Sequence, residues 1–208
     1  MSNYRFWYAA TAVVAFALFV ALGRFVGHGP DPTWLMPLED AWTNHSTLIA
    51  WWFTWLGYSY VLAPLCIALL VVAWRFPEWR TRVFFSIVVL LLCWQGADLF
   101  QHIFARPRRF DWVVKHETSF GYPSSHAAIA TGFYGLWAFF VARSNLRNAA
   151  VVATLLGVVT IGIMWSRLAL GAHYLTDVIG GLLLAKALVA ATAALLPINV
   201  FAPAEGRA

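Results

Sequence analysis

Charge is scarce in this chain. Only 11% of its 208 residues are charged and 62% are apolar, whereas a soluble domain carries about a quarter charged residues. An ordinary soluble domain is excluded. Low-complexity tracts, charge blocks and internal repeats are missing as well. The length suits one compact bundle and is too short for several domains, so residues 1–208 read as a single membrane-embedded domain. Cysteine is nearly absent. Cys66 and Cys93 each lie inside an apolar run and read as buried core thiols, giving neither a disulfide framework nor metal-ligand spacing. His, Asp and Glu form no metal-ligand pattern either, so a metal-independent site without a cofactor is expected. The net charge of +5 is scattered over short loops. That distribution, with so much apolar sequence, excludes nucleic acid as a partner.

What the chain does have is long apolar runs, twelve Trp and sixteen Phe. A spanning helix needs roughly 20 mainly apolar residues. Candidate spans are about 6–27, 50–74, 83–104, 124–142, 149–169 and 174–197. The fold class is therefore all-α, a bundle of six transmembrane helices. The second span is the least regular, because Trp51, Trp52 and Trp55 precede Gly57. Residues 40–56 are expected to lie along the interface, with the span proper starting near Tyr58. The first run is too long for a signal-peptide core and reads as a helix. Arg5, Arg75, Arg80, Arg82, Arg143, Arg147 and Arg207 fall on one side. They carry no other rationale than orientation, which places both termini in the cytoplasm. The loops 28–48, 105–123 and 167–173 then share the opposite face.

Three polar clusters interrupt this greasy sequence, each at the edge of an apolar run: Arg106, Pro107, Arg108 and Arg109; Pro123, Ser124, Ser125 and His126; and Ser166 and Arg167 with His173 and Asp177. Membrane segments carry such groups only at a cost, so they ask for a functional reason. The six-span topology brings all three to one face. His173 and Asp177 are four apart and share one helix face. The carboxylate can accept from one ring nitrogen, fixing the tautomer and freeing the other nitrogen to attack. Arg167 supplies a planar fork that matches phosphate oxygens. Ser124 follows a proline at a helix start, where free N–H groups attract anions, and His126 is placed to protonate a leaving oxygen. At least one arginine of the first cluster is expected to clamp phosphate. His102 reads as a structural histidine of the bundle, while His116 and Glu117 are expected near the opening of the site, with Asp98 close to the same face.

These residues resemble the type 2 phosphatidic acid phosphatase superfamily, membrane lipid phosphatases related in fold to the soluble vanadium haloperoxidases. The family motifs are Lys-x6-Arg-Pro, Pro-Ser-Gly-His and Ser-Arg-x5-His-x3-Asp. The third is complete as Ser166, Arg167, His173 and Asp177. The second stands as Pro123, Ser124, Ser125 and His126, with serine in the glycine position. The first is degraded: with Arg108 as its arginine, Gln101 holds the lysine position and Arg109 the proline position. The likeness covers about residues 83–190, and the stretch His116 to Phe120 further resembles bacterial members acting on undecaprenyl pyrophosphate or phosphatidylglycerophosphate. The resemblance implies a helical core like that of the haloperoxidases, and a phosphohistidine formed on His173, oriented by Asp177, with His126 as the acid. It implies Arg108, Arg167, Ser124, Ser125, Ser166 and Gln101 as the phosphate-binding set.

Gln101 can donate a hydrogen bond but carries no charge, and charge-assisted phosphate contacts are roughly twice as strong. Arg106, Arg109 and Lys115 are the cations available to replace the lysine. The expected activity is hydrolysis of a lipid phosphomonoester or diphosphate at the outer face of the inner membrane, with membrane lipids as surroundings. A lipid-to-lipid phosphotransferase with the same intermediate, and a non-catalytic lipid-phosphate binder or transporter, are the alternatives.

Overall fold

The computed structural model describes residues 3–42, 47–109, 119–196 and 199–201. Among the described residues every regular element is helical. Inside a bilayer only a helix satisfies the backbone of an isolated apolar segment, so long apolar runs leave little choice. The helices are α1 (Asn3–Val26), α2 (Met36–Asp40), α3 (Thr47–Trp55), α4 (Ser59–Arg75), α5 (Arg80–Phe104), α6 (Ser125–Ile129), α7 (Leu136–Ala142), α8 (Ala149–Ala169) and α9 (Leu175–Leu195). A 3-10 turn, Pro77–Trp79, leads into α5, and a π-helical turn, Ala130–Gly135, joins α6 to α7 into one span, Ser125–Ala142. The protein is a multi-pass membrane protein.

Among the described residues five helical segments are long and apolar enough to cross a membrane, and α3 with α4, bent by 47° at their break, counts as a sixth if the pair is taken as one span. The expected second span, 50–74, is therefore two helices. The break falls at Leu56 to Tyr58, where Gly57 lies so close to His126 that any β-carbon there would collide with the imidazole. The tight packing that breaks this span thus also places a polar side chain.

α1 lies along α9, and the α6–α7 span is wedged among α5, α8 and α9. Phe19 of α1 stacks on Tyr122 at 5.4 Å and meets Phe100 and Phe104 edge-on. This aromatic plug fixes the segment that leads into Pro123. The next residues run directly over Gly180 and Gly181. A β-carbon on Gly181 would strike the Ser124 carbonyl, and one on Gly180 the Tyr122 ring. Only glycine at these two positions lets the second polar cluster sit against α9. Cys93 is a core thiol, packed where Gly132 leaves room. Cys66 departs from that expectation: it is half-buried and faces a cavity.

Candidate active site

The turn between α8 and α9 is tight. Gly171 adopts φ +67°, a conformation that favours glycine, and the amides of Ala172 and His173 both donate to the Arg167 carbonyl, at 3.0 and 3.2 Å. This ties His173 to the end of α8 while Asp177 sits in the first turn of α9. His173 Nδ1 lies 3.3 Å from Asp177 Oδ2. On its other side, Arg108 Nη1 lies 2.9 Å from His173 Nε2. A guanidinium can only donate. Nε2 must therefore present its lone pair, and the ring proton sits on Nδ1, facing the carboxylate. Burial, with the Arg108 and Arg167 guanidiniums and His126 nearby, holds His173 well below the usual imidazole range. The arrangement yields a neutral ring with one unprotonated nitrogen held against a fixed cation, the form of imidazole that can attack phosphorus once a substrate takes the arginine.

His126 lies at the start of the next helix. Its Nε2 is buried and has no protein partner, and the ring sits against the Thr54 backbone and edge-on to Tyr58 at 4.9 Å. Arg167 is also anchored by α3, donating from Nη1 to Thr54 Oγ1 at 2.6 Å. His126, Arg167, Arg108, Ser119 and Ser125 line one end of a cavity of about 490 Å³. The rest of its wall is apolar, from α4 and α5, and includes Leu62, Cys66, Leu90 and Trp94. Ile67, Leu91 and Trp94 line the cavity and are also exposed on the outer face of the bundle. The cavity thus runs from a cationic end to the lipid-facing side between two helices.

The three clusters meet, but not every member faces the cavity. Arg108 is oriented by the Ser119 carbonyl and hydroxyl, both at 2.7 Å. Arg106 turns the other way, into buried ion pairs with Asp31 at 2.8 Å and Asp177 at 2.6 Å. Arg109 pairs with Glu39 and Asp40. Neither takes the place of the lysine at the cavity. Gln101 is buried and donates to the Pro123 carbonyl at 2.9 Å, tethering the second cluster to α5. Ser124 caps α6 by accepting from the Ala127 amide, and Ser166 donates to the Ile163 carbonyl of its own helix. Both are fully buried. His102 lies on the exposed outer face of α5, bonded to the Asp98 carbonyl, and not inside the bundle. Lys115, His116 and Glu117 lie outside the described residues.

Sequence reasoning passed over Thr54, Ser119, Asp31 and Glu39. Asp31 stands between two prolines and Glu39 precedes Asp40. Only that unusual density of acid in a basic, apolar chain could have drawn attention to them.

Known proteins resemble this chain in sequence and in fold. A curated relative, phosphatidylglycerophosphatase B of Bacillus subtilis (strain 168), is 35% identical over 69 residues. That match spans 32% of this chain and about a third, 34%, of the relative. A solved transmembrane PAP2 type phosphatidylglycerolphosphate phosphatase, also from Bacillus subtilis, shares the fold with a TM-score of 0.70 at 22% identity, covering 86% of this chain and 92% of that one. The family model described as PAP2 superfamily matches residues 4–200. With nearly its whole length matched, the chain belongs to the PAP2 superfamily.

Proposed function

We propose that this protein is a lipid phosphate phosphatase that hydrolyses a phosphomonoester or diphosphate of a membrane lipid through a phosphohistidine on His173. The supporting observation is a cavity with ends of opposite character: two arginines and an unpartnered imidazole nitrogen at one end, an apolar cleft open between α4 and α5 at the other. A charged headgroup on a long tail has that same division. Ligand sites of this kind are mostly apolar with a few placed polar groups. Phosphatidylglycerophosphate is the first candidate substrate, because the curated relative is a phosphatidylglycerophosphatase.

In this reading the substrate phosphate lies between Arg108 and Arg167, and His173 Nε2 attacks phosphorus. The bond from phosphorus to the lipid oxygen breaks as His126 gives that oxygen a proton. Asp177 stabilises the cationic ring that results. Water then attacks the phosphohistidine, His126 takes its proton, the P–N bond breaks and inorganic phosphate leaves. No metal is used. The site opens to the outer face of the inner membrane, because Arg5, Arg75, Arg80, Arg143 and Arg147 gather at the opposite end and mark the cytoplasmic side.

The test is phosphate release by purified protein in EDTA, across phosphatidylglycerophosphate, phosphatidate, undecaprenyl phosphate and undecaprenyl pyrophosphate. Release from at least one lipid is expected. Complete silence across the panel rejects the reading, and label recovered in a second lipid instead of free phosphate makes the protein a phosphotransferase. The apolar limb gives a second expected result. Ala63 lines it, so Ala63→Phe should displace about two methylenes of tail contact. At about 0.8 kcal/mol each this raises KM roughly tenfold for a long-chain substrate and leaves a short-chain one unchanged. Equal effects on both would remove the tail from this limb.

A further inference from the structure

The segment between α1 and α3, which includes α2, holds two buried carboxylates, Asp31 and Glu39, exposed by 2% and 1%. Buried charges are expensive unless paired, and both are paired at one place, the N-terminus of α9. A helix leaves its first amides without intrahelical partners. Here three consecutive ones go to carboxylates. The Tyr174 amide donates to Asp177 Oδ2 at 3.0 Å, the Leu175 amide to Glu39 Oε1 at 2.6 Å, and the Thr176 amide to Asp31 Oδ2 at 3.0 Å. The Thr176 hydroxyl also donates to Asp31 Oδ1.

Arg106 joins these groups. Its Nη2 donates to Asp31, its Nη1 to Asp177 Oδ1, and both Nε and Nη2 to the Gly29 carbonyl, beneath the Tyr174 ring. Burial alone would lower Arg106, but Asp177 and Asp31 outweigh it and hold the guanidinium firmly charged. Burial also raises Asp31, yet hydrogen bonds from Glu39, Thr176 and Arg106 keep it below its ordinary value. Burial and the adjacent Asp31 push Glu39 up to about 7.

We propose that Asp31 and Glu39 are positioning residues for phosphoryl transfer: both dock the segment around α2 on the first turn of α9 and Asp31, through Arg106, sets the orientation and charge of the Asp177 that holds His173. The inference rests on the phosphatase reading above. Asp31, Arg106 and Asp177 together carry one formal negative charge. Phosphorylation of Nε2 turns the His173 ring cationic, and that negative charge is its counter-ion. Without Asp31, Arg106 cancels Asp177 and the counter-charge disappears. Asp31 thus acts on the reaction through Arg106 and Asp177 as well as on the fold.

The test uses the full chain in detergent micelles with a lipid it is shown to hydrolyse. Asp31→Asn is expected to lower kcat at least roughly tenfold, the scale of lost supporting contacts around a reactive group, with KM nearly unchanged. The double variant Asp31→Asn with Arg106→Gln restores the single negative charge and should regain part of the lost kcat. A purely structural role predicts that the double variant is worse. If Asp31→Asn does not purify as a folded protein, Glu39→Ala carries the test, since it removes the acceptor of the Leu175 amide and undoes that part of the docking while Asp31 and Arg106 stay in place. A lowered kcat at constant KM supports the inference, and an unchanged kcat overturns it. An active wild type whose Asp31→Asn variant keeps its kcat, or whose double variant is no better than the single, overturns this inference alone. A wild type that releases no phosphate from any lipid of the panel overturns the phosphatase reading and this inference with it.

Discussion

Replacing His173 with alanine is expected to lower phosphate release by roughly ten-thousandfold and to abolish any trapped phosphoenzyme, because residues of a nucleophilic unit fail together. At about 1.36 kcal/mol per tenfold, that is roughly 5.5 kcal/mol of transition-state stabilisation. The size follows from the geometry. Arg108 touches Nε2 at 2.9 Å and Asp177 faces Nδ1 at 3.3 Å, so the ring is held directly between the cation and the carboxylate. Alanine keeps the tight turn, whose bonds are made by backbone amides, and the variant should purify as a folded protein. Its activity is read by phosphate release, and the intermediate by labelling and alkaline quench, since phosphohistidine is lost in acid. Wild-type rates in the variant would move the nucleophile elsewhere. The wild-type acid limb of kcat/KM offers a companion check. Burial and the neighbouring arginines depress His173, so it stays neutral at pH values where an ordinary imidazole, at about 6.5, would be protonated. The limb should lie below that value.

Arg108→Gln is expected to lower kcat/KM by roughly a hundred- to a thousandfold, the usual effect of removing one fixed donor from a developing anion. Arg108 does not wander: the Ser119 carbonyl and hydroxyl hold Nε and Nη2, leaving Nη1 aimed at the histidine. Gln101 is committed to the Pro123 carbonyl, and Arg106 and Arg109 are committed to acids. With Arg108 removed, Arg167 is the remaining guanidinium among the described residues that line the cavity. Arg108→Lys should recover little, because an ammonium cannot meet Ser119 twice and still reach Nε2. The comparison is steady-state kinetics on one lipid, and near-normal kcat/KM in Arg108→Gln would refute the clamp.

Much of the fold could be read in the chain. A run such as 149–169 is apolar throughout, and a bilayer accepts it only as a helix. The break before Tyr58 was visible as tryptophans followed by Gly57, though not its reason, which is contact with His126 from a helix some seventy residues away. The sharing of one face by His173 and Asp177 was equally visible, because four residues of helix place them together. The first cluster was only half readable. Its three arginines sit within four positions, yet Arg108 meets His173 while Arg106 meets Asp31 and Arg109 meets Glu39.

Hydropathy and helical spacing are local properties, so the sequence by itself determined a membrane-spanning helical bundle and the His173–Asp177 pair. Which arginine meets His173 and the cavity, that Gln101 turns to the Pro123 carbonyl, and that Asp31, Glu39 and Thr54 pack around the same cluster were decided only by the tertiary structure. Each of those partnerships joins residues that packing brings together from some 20 to over 130 positions apart. Buried polar groups must find partners wherever packing puts them, and no local pattern records where that is.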